Sequence, residues 1–136
     1  MSDFDLLVRA GRAVLPDGER GADVAVKDGR IVAVEAPGSD LGERAAAVVE
    51  LSSDEVLLPG VVDSHVHVND PGRSDWEGFA SATKAAAAGG VTTIVDMPLN
   101  SVPATTTPEA LALKRSRAEG QVRVDTGFWG GAVPGN

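Results

Sequence analysis

Three valine-led runs, starting at Val61, Val91 and Val122, recur about thirty residues apart in the second half of the chain. Between them lie segments with helical start and stop signals. Two parallel strands need a long crossover to bring the chain back to the same end, and a helix is the usual solution. The spacing therefore predicts strands over Val61–Val68, Val91–Met97 and Val122–Trp129, with helices over Ser74–Ala88 and Pro108–Ala118. Ser74-Asp75-Trp76-Glu77 reads as a capping box opening the first helix, and Gly89-Gly90 as its left-handed cap. The second helix has Thr107 as N-cap, Pro108 at the first helical position and Gly120 just past its end. Trp76 and Phe79, three apart, read as packing residues on the first helix.

The first half has another rhythm, short, alternating and rich in valine. Strands are expected over Asp5–Leu15, Ala22–Lys27, Arg30–Glu35, Val48–Leu51 and Glu55–Leu58. Asp28-Gly29 is a two-residue hairpin turn of the type I′ class. Ile31-Val32-Ala33-Val34 is apolar on both faces, so that strand is expected to be covered on both sides. The rhythm changes at Leu57-Leu58-Pro59-Gly60. Residues 1–58 then form a small β unit near the lower size limit for independent stability, and residues 59–136 an α/β unit. A closed (β/α)8 barrel needs about 250 residues, which three strands cannot supply. The Gly-rich stretch Phe128–Asn136 has no capped finish and reads as a cut in the loop after a strand. The rival is a small open three-stranded α/β domain.

Composition narrows the chemistry. The formal charge is −8, with acidic residues spread along the chain. That disfavours nucleic acid and anionic membranes as partners, since both reward a basic patch. There is no cysteine, so any metal must be held by nitrogen and oxygen. Met1–Leu7 carries Asp3 and Asp5 rather than a basic-then-apolar leader, and the apolar runs are short for a membrane span. A cytoplasmic location is expected.

The chemistry concentrates in Pro59-Gly60-Val61-Val62-Asp63-Ser64-His65-Val66-His67. Residues two apart on a strand share a face, so Asp63, His65 and His67 are expected to align. Imidazoles about 7 Å apart at Cα can converge on one metal ion, and barrel sites are built at this C-terminal end of a strand. A generic H-x-H arises often by chance, but here it holds both histidines of the chain. A metal site normally needs at least one more ligand. Asp63 or Asp96 could supply it, but Asp63 is expected to be a buried hydrogen-bonding support for the histidine strand rather than a ligand, and Asp96 either a ligand support or a loop anchor. Asn100 follows the second strand at the level where substrate would sit, a turn-stabilising amide being the alternative.

The segment from Asp63 to Phe79 and the segment from Ala85 to Ser101, with Trp76-Glu77-Gly78-Phe79 and Met97-Pro98-Leu99-Asn100, resemble the cyclic amidohydrolase branch of the amidohydrolase superfamily. That branch includes dihydroorotases, hydantoinases and allantoinases, and these stretches look most like the allantoinases. The resemblance extends to the whole chain and to about the first third of such an enzyme. It implies a partial metal-dependent TIM barrel, its first three βα units preceded by part of a composite β-sandwich lobe.

It further implies hydrolysis of a cyclic amide, allantoin to allantoate, with two zinc ions bridged by a carbamylated lysine. His65 and His67 would bind the more buried ion. The bridging lysine, two further histidines and the catalytic aspartate would lie beyond Asn136, so no catalytic base is expected in this sequence and the chain alone should be inactive. Lys27, Lys84 and Lys114 are not credible substitutes for the bridging lysine. Dihydroorotases typically carry a carboxylate-gripping arginine two residues after the second histidine, where this chain has Asn69, a neutral amide suited to an uncharged ring. Asn69 and Asn100 are thus the expected substrate contacts. A homotetramer is implied for the full-length enzyme. The alternatives are a hydantoinase or dihydropyrimidinase, a dihydroorotase-like enzyme, or a non-catalytic binding protein derived from the superfamily.

Overall fold

The computed structural model describes residues 2–136, so Met1 lies outside it. The chain forms two compact units, Met1–Pro59 and Gly60–Asn136.

The first unit is a four-stranded sheet built from β1 (Phe4–Leu15), β2 (Gly18–Lys27), β3 (Arg30–Glu35) and β4 (Ala45–Glu50), in the order β3-β2-β1-β4. The β1–β2 and β2–β3 pairs are antiparallel, whereas β4 lies parallel to β1. Asp28 and Gly29 both take positive φ, 50° and 71°, as a type I′ turn requires. Alternation along β1 and β2 buries Leu7 and Ala25 with Leu41 of a 3-10 helix, Asp40–Arg44. A second cluster joins Ala10, Ala13, Ala22 and Val24.

Two expectations for this unit are corrected. Ile31 and Val32 are 67% and 51% exposed. β3 is the sheet's edge, and of its apolar run Ala33 packs against the nearby core cluster. Glu55–Leu58 is no strand but makes a single parallel bridge from Leu57 to Ala13. The preceding backbone is tied into a turn, with the Ser52 N–H and hydroxyl donating to the Glu55 carboxylate.

The second unit alternates β5 (Val61–Val66), α1 (Phe79–Ala88), β6 (Val91–Asp96), α2 (Pro108–Ala118) and β7 (Asp125–Phe128). Its three strands form a parallel sheet in the order β5-β6-β7. Val68, Phe79, Ile94 and Ala118 make the core, and Phe79 meets Phe128 edge-on at 5.9 Å. α2 begins as expected: the Thr107 hydroxyl accepts the Ala110 N–H at 3.2 Å, and Pro108 follows.

α1 starts later than the capping-box pattern predicts, at Phe79, with Gly78 as an N-cap that offers no side-chain bond. Residues 69–77 are held instead by their own backbone. The Asn69 N–H donates to the Glu77 carbonyl, Arg73 N–H to Asn69 and Trp76 N–H to Arg73. Trp76 therefore precedes the helix and is 75% exposed, leaving Phe79 as the packing residue. β7 is shorter than expected because the N–H groups of Gln121 and Val122 turn back to the Ala118 carbonyl at the end of α2. Among the described residues, no helix is long and apolar enough to cross a membrane.

Candidate metal centre

β5 does not run in simple register with β6. Asp63 lies opposite Ile94, and the next pair is Val66 with Asp96, so three steps on β5 answer two on β6. Within this irregularity the His65 N–H donates to Asp63 Oδ1 at 3.0 Å. Asp63 thus accepts from the backbone of the histidine strand, and does so from an exposed position rather than a buried one.

The two imidazoles converge. Their Nε2 atoms are 3.3 Å apart, with ring centroids at 5.2 Å and planes inclined by 58°. A tetrahedral ion with Zn–N bonds of about 2.0–2.1 Å separates two nitrogen ligands by about 3.3–3.4 Å. The pair therefore already has the spacing of two ligands on one ion. Among the described residues no cluster of three or more His, Cys, Asp or Glu completes the set. This chain offers two nitrogens, and the donor set fits a borderline-soft divalent metal.

Behind the histidines sit the two asparagines. His67 Nδ1 lies 3.1 Å from Asn100 Oδ1, and Asn100 Nδ2 donates to Asn69 Oδ1 at 3.3 Å. Asn69, on the loop after β5, is buried; Asn100, on the loop after β6, is partly so. The structure thus brings His65, His67, Asn69 and Asn100 together at the mouth of the sheet. It places the Asn100 amide in contact with His67 and the Asn69 amide in contact with Asn100.

Of the two roles open to Asp96, the structure selects the anchor, and Lys114 is the partner that was not foreseen. Asp96 is fully buried at the end of β6, where its Oδ1 accepts the Val68 N–H at 2.8 Å, one residue past His67. Its Oδ2 pairs with Lys114 Nζ at 2.6 Å, and Lys114 also donates to the Met97 carbonyl at 3.2 Å. Asp96 is therefore a loop anchor, and β5 ends early because the Val68 N–H goes to this carboxylate. Burial pushes the Asp96 carboxyl above its ordinary value, while the bonds from Lys114 and Val68 oppose that shift. One turn further along α2, Arg117 pairs with the buried Asp70 of the loop after β5 at 3.2 Å. For the two cations the sequence signal is slight, since Lys114 and Arg117 stand three apart on a helix, a spacing also common on solvated faces. A last tie comes from Trp129, whose indole N–H donates to the Ser64 carbonyl at 3.0 Å.

Comparison with known proteins identifies this arrangement. Residues 56–135 match the amidohydrolase family. The chain is 55% identical over 136 residues to an allantoinase of Streptomyces avermitilis, covering all of this chain and 30% of that protein. It is 51% identical over 130 residues to an allantoinase of Arabidopsis thaliana, covering 95% of this chain and 26% of that one. Among solved structures, the L-hydantoinase (dihydropyrimidinase) of Arthrobacter aurescens superposes with a TM-score of 0.85 at 38% identity, over 97% of this chain and 29% of that one. The chain thus spans under a third of the length of these relatives. With a family match over more than half its residues, the chain belongs to the amidohydrolase family, whose fold is that of TIM-barrel-type, divalent-metal-dependent hydrolases.

Proposed function

We propose that the protein carrying this sequence is an allantoinase, opening the hydantoin ring of allantoin to give allantoate. The observation that carries the reading is the 55% identity to the Streptomyces avermitilis allantoinase, sustained over all 136 residues. The paired imidazoles and the neutral Asn69 beside them accord with it, because an uncharged ring needs no cationic grip. In this reading residues 1–58 are part of a composite β-sandwich lobe and residues 59–136 the first three βα units of the barrel. The full-length protein would be a cytoplasmic homotetramer.

His65 and His67 would hold one of two zinc ions, with a carbamylated lysine and the remaining ligands supplied from outside this sequence. A divalent metal at this place lowers the pKa of water and polarises an amide carbonyl. The chain's own contribution is to hold and orient. Asp63 fixes the His65 backbone, and Asp96 fixes the strand end through Val68. Asn100 has a second amide hydrogen, beyond the one given to Asn69, that can donate to a ring carbonyl at the mouth of the sheet. Asn69 would form the neighbouring wall. Proton transfer to the leaving nitrogen would fall to an acid–base group that this reading places outside this sequence.

A hydantoinase or dihydropyrimidinase is the second reading, favoured by the structural likeness to the Arthrobacter enzyme. Rates of ring opening by the full-length protein on allantoin, hydantoin and dihydrouracil decide between them. A preference for allantoin is expected, and a clear preference for either competitor would overturn the first reading.

A further inference from the structure

We infer that Asn69 and Asn100 form a relay that sets the tautomer of His67, presenting its Nε2 lone pair to the metal position. The inference rests on the metal-binding reading of His65 and His67. An amide oxygen is an acceptor only, so the 3.1 Å contact between Asn100 Oδ1 and His67 Nδ1 requires the proton on Nδ1. A neutral ring protonated there has an unprotonated Nε2, the atom that faces His65. Ligating histidines generally give their second ring N–H to such a partner, which fixes both tautomer and ring orientation.

Asn100 alone would not fix the proton, because its amide can turn over. The 3.3 Å bond from Asn100 Nδ2 to Asn69 Oδ1 ties its orientation to that of the Asn69 amide. Turning only the Asn100 amide would set two oxygens against each other and an N–H against the ring. Turning both amides would restore their mutual bond but drive the proton to His67 Nε2, where it would block the metal. Asn69 is therefore an orienting residue at one remove. Its backbone is pinned on both sides, its N–H to the Glu77 carbonyl and its carbonyl to the Arg73 N–H. A consequence follows for His65. Two unprotonated Nε2 atoms at 3.3 Å would repel, so without metal His65 carries its proton on Nε2 and donates it to His67. Binding of the ion then shifts the His65 proton to Nδ1, while His67 already has its ligand tautomer. Asn69 and Asn100 are positioning residues in this account, beyond any contact they make with substrate.

The test uses the full-length protein stripped of metal, with zinc affinity measured by competition against a chromogenic chelator. Asn100→Ala is expected to weaken binding about 10- to 100-fold, the usual range for loss of a partner behind a ligating histidine. Asn69→Ala should weaken it less, and Asn100→Asp, which keeps an acceptor, should retain it. Long-range 1H–15N correlation of labelled histidine, with His67 assigned from the His67→Ala difference, reads the tautomer without any variant of the relay. It should show His67 protonated on Nδ1 and His65 on Nε2 in the metal-free protein at about pH 8, where an imidazole is normally neutral. A His67 protonated on Nε2, or wild-type zinc affinity in both Asn100→Ala and Asn69→Ala, would overturn the inference. Unchanged zinc affinity in His65→Ala and His67→Ala would overturn the metal reading beneath it. A change of KM for ring opening with unaltered zinc affinity would assign the asparagines to substrate alone and also refute the relay.

Discussion

Lys114→Met removes one partner of an ion pair in which both side chains are shielded from solvent, 1% and 0% exposed. Methionine fills a similar volume, so the change acts mainly on charge. It leaves the Asp96 carboxylate buried with the Val68 N–H as its remaining hydrogen bond. Stranding one member of a buried pair costs about 3–5 kcal/mol, a large part of the roughly 5–15 kcal/mol that holds a domain folded. Both tryptophans of this sequence lie in the second unit, at positions 76 and 129, so their fluorescence during urea unfolding reports on that unit. The midpoint should fall by more than about 1 M. Asp96→Asn added to Lys114→Met removes the orphaned charge, and its amide oxygen can still accept from Val68, so the double variant should recover most of the loss. Acid should also mitigate the single variant. Burial already raises the Asp96 carboxyl, so the group favours the folded state while protonated and loses that contribution as pH rises through its folded pKa. Losing Lys114 raises it further, and the penalty should be larger at about pH 8 than at about pH 5. A cost below about 1 kcal/mol, or a double variant no more stable than the single, would refute the anchoring role of this pair.

Thr107→Ala removes the hydroxyl that caps α2 and should cost about 1 kcal/mol, measurable as a lower thermal midpoint. Gly72 takes φ of +95°, and a Cβ there would lie 2.8 Å from the Val102 carbonyl oxygen. Gly72→Ala should therefore cost about 1–3 kcal/mol and loosen the loop beside the histidines, read by faster amide exchange at Asn69 and Arg73. Phe79→Ala empties the centre of the second core and should cost about 3–5 kcal/mol by the same fluorescence-detected unfolding.

The thirty-residue spacing carried the parallel sheet, since a βαβ crossover permits few lengths, and the caps of α2 were local chemistry that the fold leaves undisturbed. The convergence of His65 and His67 was legible for the same local reason, although the register irregularity in β5 was not. Elements failed to follow the sequence where remote groups competed for the backbone. The Ser74–Glu77 box lost to pairing between Asn69 and Glu77, and the end of β5 was set by a carboxylate 28 residues further along the chain. Lys114 was weighed only as a substitute for the bridging lysine, and its anchoring role was not foreseen. Its partner is a residue on another element, and periodicity along one helix holds no record of it. The asparagines were recognised by position, but the chain of contacts from Asn69 through Asn100 to the His67 ring depends on the meeting of two loops.

His65 and His67 are proposed to hold a divalent ion. This is tested most directly by elemental analysis of the purified full-length protein beside its His65→Ala/His67→Ala double variant. The wild-type protein should retain about two ions per chain, as a two-metal hydrolase does, and the double variant, still folded by circular dichroism, should lose at least one. Equal metal content in the two proteins, or a wild-type protein that binds none, would contradict the account.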